Sequence, residues 1–370
     1  MRERPTCPAV PLPRVSVVMP VYNAEAYLER AIESILGQTL ERLELVAVDD
    51  GSRDGSRAIL ERFARIDTRI TIIANERNLG MSGARNRGWR AARAPYIASL
   101  DADDVALPHR LARQVEFLDT HPSVAAVGGA AITIAAAERH ISTRRYPTND
   151  RVIRSTLLRH NCLAHSAVTM RRSALEAVGG YRFHNASDDY DLWLRFSPRF
   201  ALANLPEPVV LHRLHVNQET VRGVERQVRE ALIVRSAAHA RRASGVDPLA
   251  GVEDLSGEGL RRVSIDEAKL RSAIGRESIA QAAILADLDH HDEAARLVAV
   301  ASELDGGRAA RAFSATTELK HAEAQLRARR LLAAGEHVLR AFREDPLHAS
   351  RLLTRWLGPR VPGGGLLRWT

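Results

Sequence analysis

From Arg14 to about Ala131, short apolar runs alternate with segments whose apolar residues recur every three or four positions. The runs VSVVMP (Val15–Pro20), LELVAVDD (Leu43–Asp50), RITIIAN (Arg69–Asn75), YIASLD (Tyr96–Asp101) and VAAVGGAAITI (Val124–Ile134) are rich in β-branched residues and read as strands. Between them, Glu25–Gln38 carries Ala26, Leu28, Ile32, Ile35 and Leu36 at helical spacing. Asp54–Ile66, with Asp54 as N-cap, and the segments Ser82–Arg93 and Leu107–Thr120 read as helices too. Few folds accommodate this rhythm. Strands joined through helices form right-handed βαβ units, hence an α/β domain with a mostly parallel sheet covered on both faces. In such sheets ligands bind beyond the carboxyl ends of the strands. Asp49-Asp50 and Asp101/Asp103 both fall at strand carboxyl ends and should share one rim.

The pattern changes twice more. Arg144–Thr220 mixes short helices, strands and polar turns, and from Val221 the chain is helical, rich in Ala, Leu and Arg. The expected organisation is a tail over 1–13, an α/β domain over 14–220 and a helical extension over 221–370. The formal net charge of +8 suggests an anionic partner. No run of five or six basic residues marks a nucleic-acid arm, so nucleic acid is not expected as a partner. Lys occurs only at Lys269 and Lys320, a skew that a GC-rich genome also explains. The cysteines, Cys7 and Cys162, have no metal or disulfide spacing, which fits a reducing cytoplasm. The N-terminus lacks the apolar core of a signal peptide, and no stretch of 18 apolar residues spans a bilayer. A cytoplasmic protein is expected. Peripheral contact with the inner face of a membrane is the further option, with Trp356 and Trp369 as interfacial anchors.

Several strand-end segments carry chemistry, each with a plainer alternative. In YIASLDADDVALP, Asp101 and Asp103 stand where a divalent cation with oxygen ligands would relieve their repulsion; the alternative is a polar loop in which Asp104 caps the next helix. Tyr22 can stack on a base or merely cover the sheet edge, and Asn23 can hold a turn. Asp50 can accept from a base or a ribose, or belong to a polar βα turn. Gly80 and Gly83 precede a helix bearing Arg85 and Arg87, a plausible place for an anion or a structural turn. Asp188 and Asp189 open the helix DDYDLWLR, as a general base or as a favourable charge at the helix N-terminus. In HRLH, Arg213 and His215 can face a diphosphate, whereas alternation sets His212 on the other face as an ordinary strand residue.

In order and spacing, VSVVMPVYNAEAYLERAIESILGQTLERLELVAVDDGSRDGS, NLGMSGARNRGWRAARAPYIASLDADDVALPHRL, DDYDLWLR and HRLH resemble the family 2 glycosyltransferases of the GT-A fold, over about residues 14–220. The resemblance implies a nucleotide-sugar donor, often a uridine diphosphate sugar, a divalent metal (Mn²⁺ or Mg²⁺) and inversion by direct displacement. The acceptor is expected to be a carbohydrate or lipid-linked hydroxyl. By position, Pro20 and Tyr22 would line the nucleobase pocket, Asp50 would contact the base and Arg85 would sit by the donor. Asp101 and Asp103 would form the D-x-D pair, with Asp103 the direct metal ligand and Asp101 nearer the ribose or sugar. Asp189 matches the base that deprotonates the acceptor, with Asp188 in the place of a common Glu. Arg213 and His215 match the diphosphate-facing segment. A nucleotide-sugar-binding protein without turnover is the alternative. Acceptor-side loops are expected between Ala135 and Asn185.

Overall fold

The computed structural model describes residues 12–182, 187–215, 218, 223–252, 255–263, 265–288, 290–305, 307, 311, 313–319, 322 and 331–357. The expected rhythm is present. Strands β1 (Val15–Val21), β2 (Leu43–Asp49), β3 (Ile70–Ala74) and β4 (Tyr96–Ser99) are separated by helices α1 (Glu25–Leu36), α2 (Ser56–Ile66) and α3 (Gly80–Ala91). A two-residue strand β5 (Val105–Ala106), helix α4 (Arg110–Thr120) and the hairpin β6 (Val124–Ala135) and β7 (His140–Arg144) follow. Then come α5 (Asp150–Leu157), β8 (Thr169–Arg171), α6 (Arg172–Ala177), α7 (Asp188–Phe196) and a long β9 (Ala201–Leu214).

Among the described residues nine strands join one sheet, in the order β3-β2-β1-β4-β8-β6-β9-β5, with β7 on β6. The β3-β2-β1-β4 half is parallel throughout. Beyond it the sheet is mixed: β8 runs antiparallel to both β4 and β6, while β9 runs parallel to β6 and antiparallel to β5. Alternation along β1 explains the two covered faces. Val15, Val17, Met19 and Val21 point into a core shared with α1, α2 and α4. Val18 points the other way, toward α3, where a Cβ on Gly88 would lie 2.4 Å from Val18 Cγ1 and 3.2 Å from Val48 Cγ2. The missing side chain lets α3 approach the sheet closely and brings Arg85, one turn earlier, over the strand ends.

The chain divides into two compact units differently from the sequence-based split at 220. One comprises Met1–His215 with Ile233–Ser264, the other Val216–Leu232 with Ile265–Thr370. Helix α8 (Val224–Ser244) contributes residues to both. The first unit takes in residues past 232 through polar ties no spacing reveals: Arg182 joins Asp247 to Asp191 at the first turn of α7, and Arg241 also holds Asp247. The second unit is helical, with α9 (Glu267–Asp287) packed on α10 (His291–Asp305), and α11 (Leu331–Glu344) followed by α12 (Pro346–Leu357). Asp266 caps α9 by accepting from the Ala268 and Lys269 amides, and Pro346 opens α12 where no intrahelical N–H is needed. Among the described residues, no helix is long and apolar enough to cross a membrane. Cys7, Asn185, Thr220 and Trp369 lie outside the described residues, as does the side chain of Trp356.

Candidate active site

The register of β1 with β2 and β4 sets the rim. Val21 is level with Asp49, and Val18 with Ser99, so the turns after these strands open on the same edge. Pro20 lies within β1, and Tyr22, just past its end, is 47% exposed. Asn23 adopts a left-handed φ of 49° and ties two turns together: its Oδ1 accepts from the Arg53 amide at 2.8 Å and its own amide donates to Ser52 Oγ at 3.2 Å. Gly51, at φ 78°, lets the chain leave β2 beneath the backbone of Arg77 and Asn78. Asp50 is buried there, with Oδ1 accepting from Asn75 Nδ2 at 2.5 Å and from the Leu79 amide at 2.8 Å.

The acidic turn follows β4. The Asp101 amide donates to Ser166 Oγ at 3.1 Å, and the Asp104 amide closes the turn on Asp101 O at 3.1 Å. Arg110, fully buried at the start of α4, donates to Ser99 O at 2.7 Å and to Val168 O at 3.2 Å, which satisfies the strand end from below. Because β5 pairs with Val210 and Leu211 of β9, the turn meets the end of β9. His215 Nε2 lies 3.0 Å from Asp103 Oδ2. The His215 ring packs 4.8 Å from that of Tyr27.

Three sequence expectations change here. Asp104 does not start the next helix, which begins at Arg110; it is wholly buried and accepts from the Arg213 amide at 2.8 Å and from His212 at 3.2 Å. His212 is therefore no ordinary strand residue: the Asp104 carboxylate, against the effect of burial, raises its pKa to about 9. Arg213, expected from the resemblance to face a diphosphate, directs its guanidinium into the protein. It donates to Asp103 O at 2.9 Å and Ala136 O at 2.6 Å, pairs with Glu138 at 3.1 Å and lies over the Tyr27 ring.

On the α3 side, Arg85 is buried and bridges two carboxylates. Nη1 meets both oxygens of Asp188 at 2.7 and 2.9 Å, and Nη2 meets Asp101 Oδ1 at 2.9 Å. Ser82 Oγ donates to Asp188 at 2.8 Å. Burial alone would raise the Asp101 pKa; the Arg85 charge, helped by its hydrogen bond and that of Ser166, holds it at about 2. Asp189 has the opposite fate. It is only partly buried, yet burial and then the adjacent Asp188 charge raise its pKa to about 7. Its oxygens accept from the Tyr190 amide at 2.7 Å and from Asn161 Nδ2 at 2.9 Å. Two carboxylates adjacent in sequence are thus separated in chemistry: Asp188 is locked in an ion pair, and Asp189 titrates near neutrality.

Asp101, Arg85, Asp188 and Asp189 form a continuous polar path, while Asp103 and His215 sit together on the other side of the acidic turn. Among the described residues no group of three or more His, Cys, Asp or Glu could hold a metal ion. The Asp103–His215 pair nevertheless suits an ion that takes few protein ligands and completes its shell with water and substrate phosphate. Sequence reading passed over Ser82, Asn161, His165, Ser166 and Tyr181. His165 is buried, its pKa pushed far down by burial, and its Nε2 lies 3.2 Å from Tyr181 Oη. Ser82 follows the Gly80 turn and was open to notice; the RHNCLAHS connection carries no periodic signal.

The family pattern described as Glycosyl transferase family 2 matches residues 16–179. An uncharacterized glycosyltransferase of Haemophilus influenzae is 34% identical over 222 residues, 56% of this chain and 67% of the relative. The amylovoran biosynthesis glycosyltransferase AmsE of Erwinia amylovora is 32% identical over 212 residues, 56% of this chain and 77% of the relative. A mannosyltransferase from Pyrobaculum calidifontis, solved with GDP-Man and Mn²⁺, aligns at 20% identity with a TM-score of 0.48, covering 94% of this chain and 88% of that one. The family pattern takes in β1 to β4 and the acidic turn, and with relatives more than 30% identical and covered to two thirds or more, the chain belongs to glycosyl transferase family 2.

Proposed function

We propose that this chain moves a glycosyl group from a nucleoside diphosphate sugar, with a uridine donor favoured, to the hydroxyl of a carbohydrate or lipid-linked acceptor, inverting the anomeric centre. The observation that carries the reading is the pair of neighbouring carboxylates with opposite environments. Asp188 is clamped by Arg85, whereas Asp189 is partly exposed with a pKa of about 7, which suits a general base at neutral pH.

In this reading Asp189 takes the acceptor proton as the acceptor oxygen bonds to the anomeric carbon and the bond to the diphosphate breaks. Pro20, Tyr22 and Asp50 form the nucleobase end, with the exposed Tyr22 ring available for stacking. Asp101 faces the ribose or sugar, its charge maintained by Arg85, which serves the donor through that carboxylate. Asp103 and His215 would hold Mn²⁺ or Mg²⁺, which when bound neutralises charge on the departing diphosphate. Arg213 acts by fixing the Asp103 main chain. The relationship to an amylovoran biosynthesis enzyme favours a role in surface polysaccharide or glycoconjugate synthesis. The helical unit, the cytoplasmic setting and peripheral membrane contact remain part of the proposal.

The test is a hydrolysis and transfer screen over nucleotide sugars with and without Mn²⁺ or Mg²⁺. Turnover should require the ion and fall roughly 10²–10⁴-fold in Asp189→Asn while donor binding persists. Full turnover in a folded Asp189→Asn variant would overturn the base assignment. Donor binding without any wild-type turnover would instead identify a non-catalytic nucleotide-sugar binder.

A further inference from the structure

Asn161 belongs to none of the segments that carry the family resemblance. It lies on the connection between α5 and the short turn His165–Ala167. Its amide group has a defined orientation. The Leu163 main-chain N–H donates to Asn161 Oδ1 at 3.2 Å, which leaves Nδ2 to donate to Asp189 Oδ2 at 2.9 Å. The other Asp189 oxygen accepts from the Tyr190 amide at 2.7 Å. Five residues further on, Ser166 Oγ accepts from the Asp101 amide at 3.1 Å. One connection therefore touches the carboxylate at the start of α7 and the carboxylate turn at the end of β4.

We propose that Asn161 is a positioning residue that fixes the rotation of the Asp189 carboxylate and supports its charged form, with Ser166 registering the same connection against the donor-side turn. The proposal rests on the reading of Asp189 as the base. The ionised groups facing Asp189 are Asp188 on its own helix and Arg85 on α3, and these oppose each other. Tyr190 on α7, Tyr146 from the segment before α5 and Tyr181 from the segment before α7 also face it, and burial raises all three phenols, so they stay neutral. Asn161 donates a neutral hydrogen bond to this carboxylate. A bond to the ionised form favours that form.

The test uses the full chain labelled with ¹³C-aspartate, the Asp189 resonance being identified by its loss in Asp189→Asn. Asn161→Ala should move the Asp189 titration midpoint up by about one pH unit, a tenfold change in proton affinity. Asn161→Asp keeps the shape, replaces the donor with a second carboxylate and should move the midpoint further. The acidic limb of UDP-glucose or UDP-N-acetylglucosamine hydrolysis should move with it, while a merely structural role would lower yield or stability and leave both midpoint and limb in place. An unmoved midpoint in folded Asn161→Asp overturns the proposal. A moved midpoint with an unmoved limb upholds the positioning role and refutes instead the reading of Asp189 as the base. Turnover by Asp189→Asn separately decides whether Asp189 is the base.

Discussion

Replacing Arg85 with Met removes the guanidinium that bridges Asp101 and Asp188 while keeping much of the aliphatic stem. Asp101 sits at about 2 in the folded protein against an ordinary 3.8, so its ionisation contributes about 2 kcal/mol to folding above pH ~4. Asp188 is buried, and loss of Arg85 leaves it with the Ser82 hydroxyl and an amide as donors. Breaking a buried ion pair from one side costs about 3–5 kcal/mol, and that is the expected loss near pH 7.5. The sign of the pH dependence is fixed. Asp101 has a depressed folded pKa, so its contribution is present above the unfolded value and fades as pH falls toward 2. In the variant, the orphaned carboxylates take up protons earlier, which relieves their penalty. The gap between variant and wild type should therefore be widest near neutrality and narrow below pH ~4. Urea unfolding followed by fluorescence of Trp193, which is buried on α7 beside the site, measures it at pH 7.5 and 3.5. A loss under ~1 kcal/mol at pH 7.5, or an equal loss at both pH values, would refute the bridging account.

Two further outcomes follow from the geometry. Gly88→Ala places a methyl 2.4 Å from Val18 Cγ1 and should cost about 1–3 kcal/mol by lifting α3 from the sheet; unchanged thermal stability would show that Val18 rotates away freely. Asp189 has a raised folded pKa, so the charged form opposes folding, a cost absent below pH ~4 and complete above about 7. The full shift corresponds to about 4 kcal/mol; with that figure discounted for the partial exposure of Asp189, Asp189→Asn should be more stable than wild type by roughly 1–2 kcal/mol at pH 8 and by almost nothing at pH 4, a stability gain paired with lost turnover. Equal stabilisation at both pH values would contradict that origin.

How far the sequence reached depended on whether the interactions were local. β1, β2, β3 and α1 to α4 were legible within two or three residues, because each is an apolar run or stripe bounded by its own turn residues. β9 was seen only near its end, where His212 reads as a strand residue. Pro206 and Pro208 argue against a long inner strand, yet β9 starts at Ala201, and its pairing with β6 shifts register across those prolines. β8 has three residues and β5 two, too short for any period, and they exist because β4, β6 and β9 offer partners. The same divide runs through the site. Asp101, Asp103, Asp188 and Asp189 were identifiable as strand-end and helix-start carboxylates. Nothing in Asn161 or His165 announced their neighbours.

By itself the sequence determined an α/β chain with its acidic residues on one rim, since apolar periodicity dictates which faces are buried and strand direction dictates where the turns open. Only the tertiary structure decided which acid does what. Asp104 became a buried anchor for His212 and Arg213, Asp188 the partner of Arg85, and Asp189 the carboxyl with a pKa near neutrality. Charge and proton affinity depend on burial and on partners brought from up to about 110 residues away, as Asp103 and His215 are, and no local spacing encodes those distances.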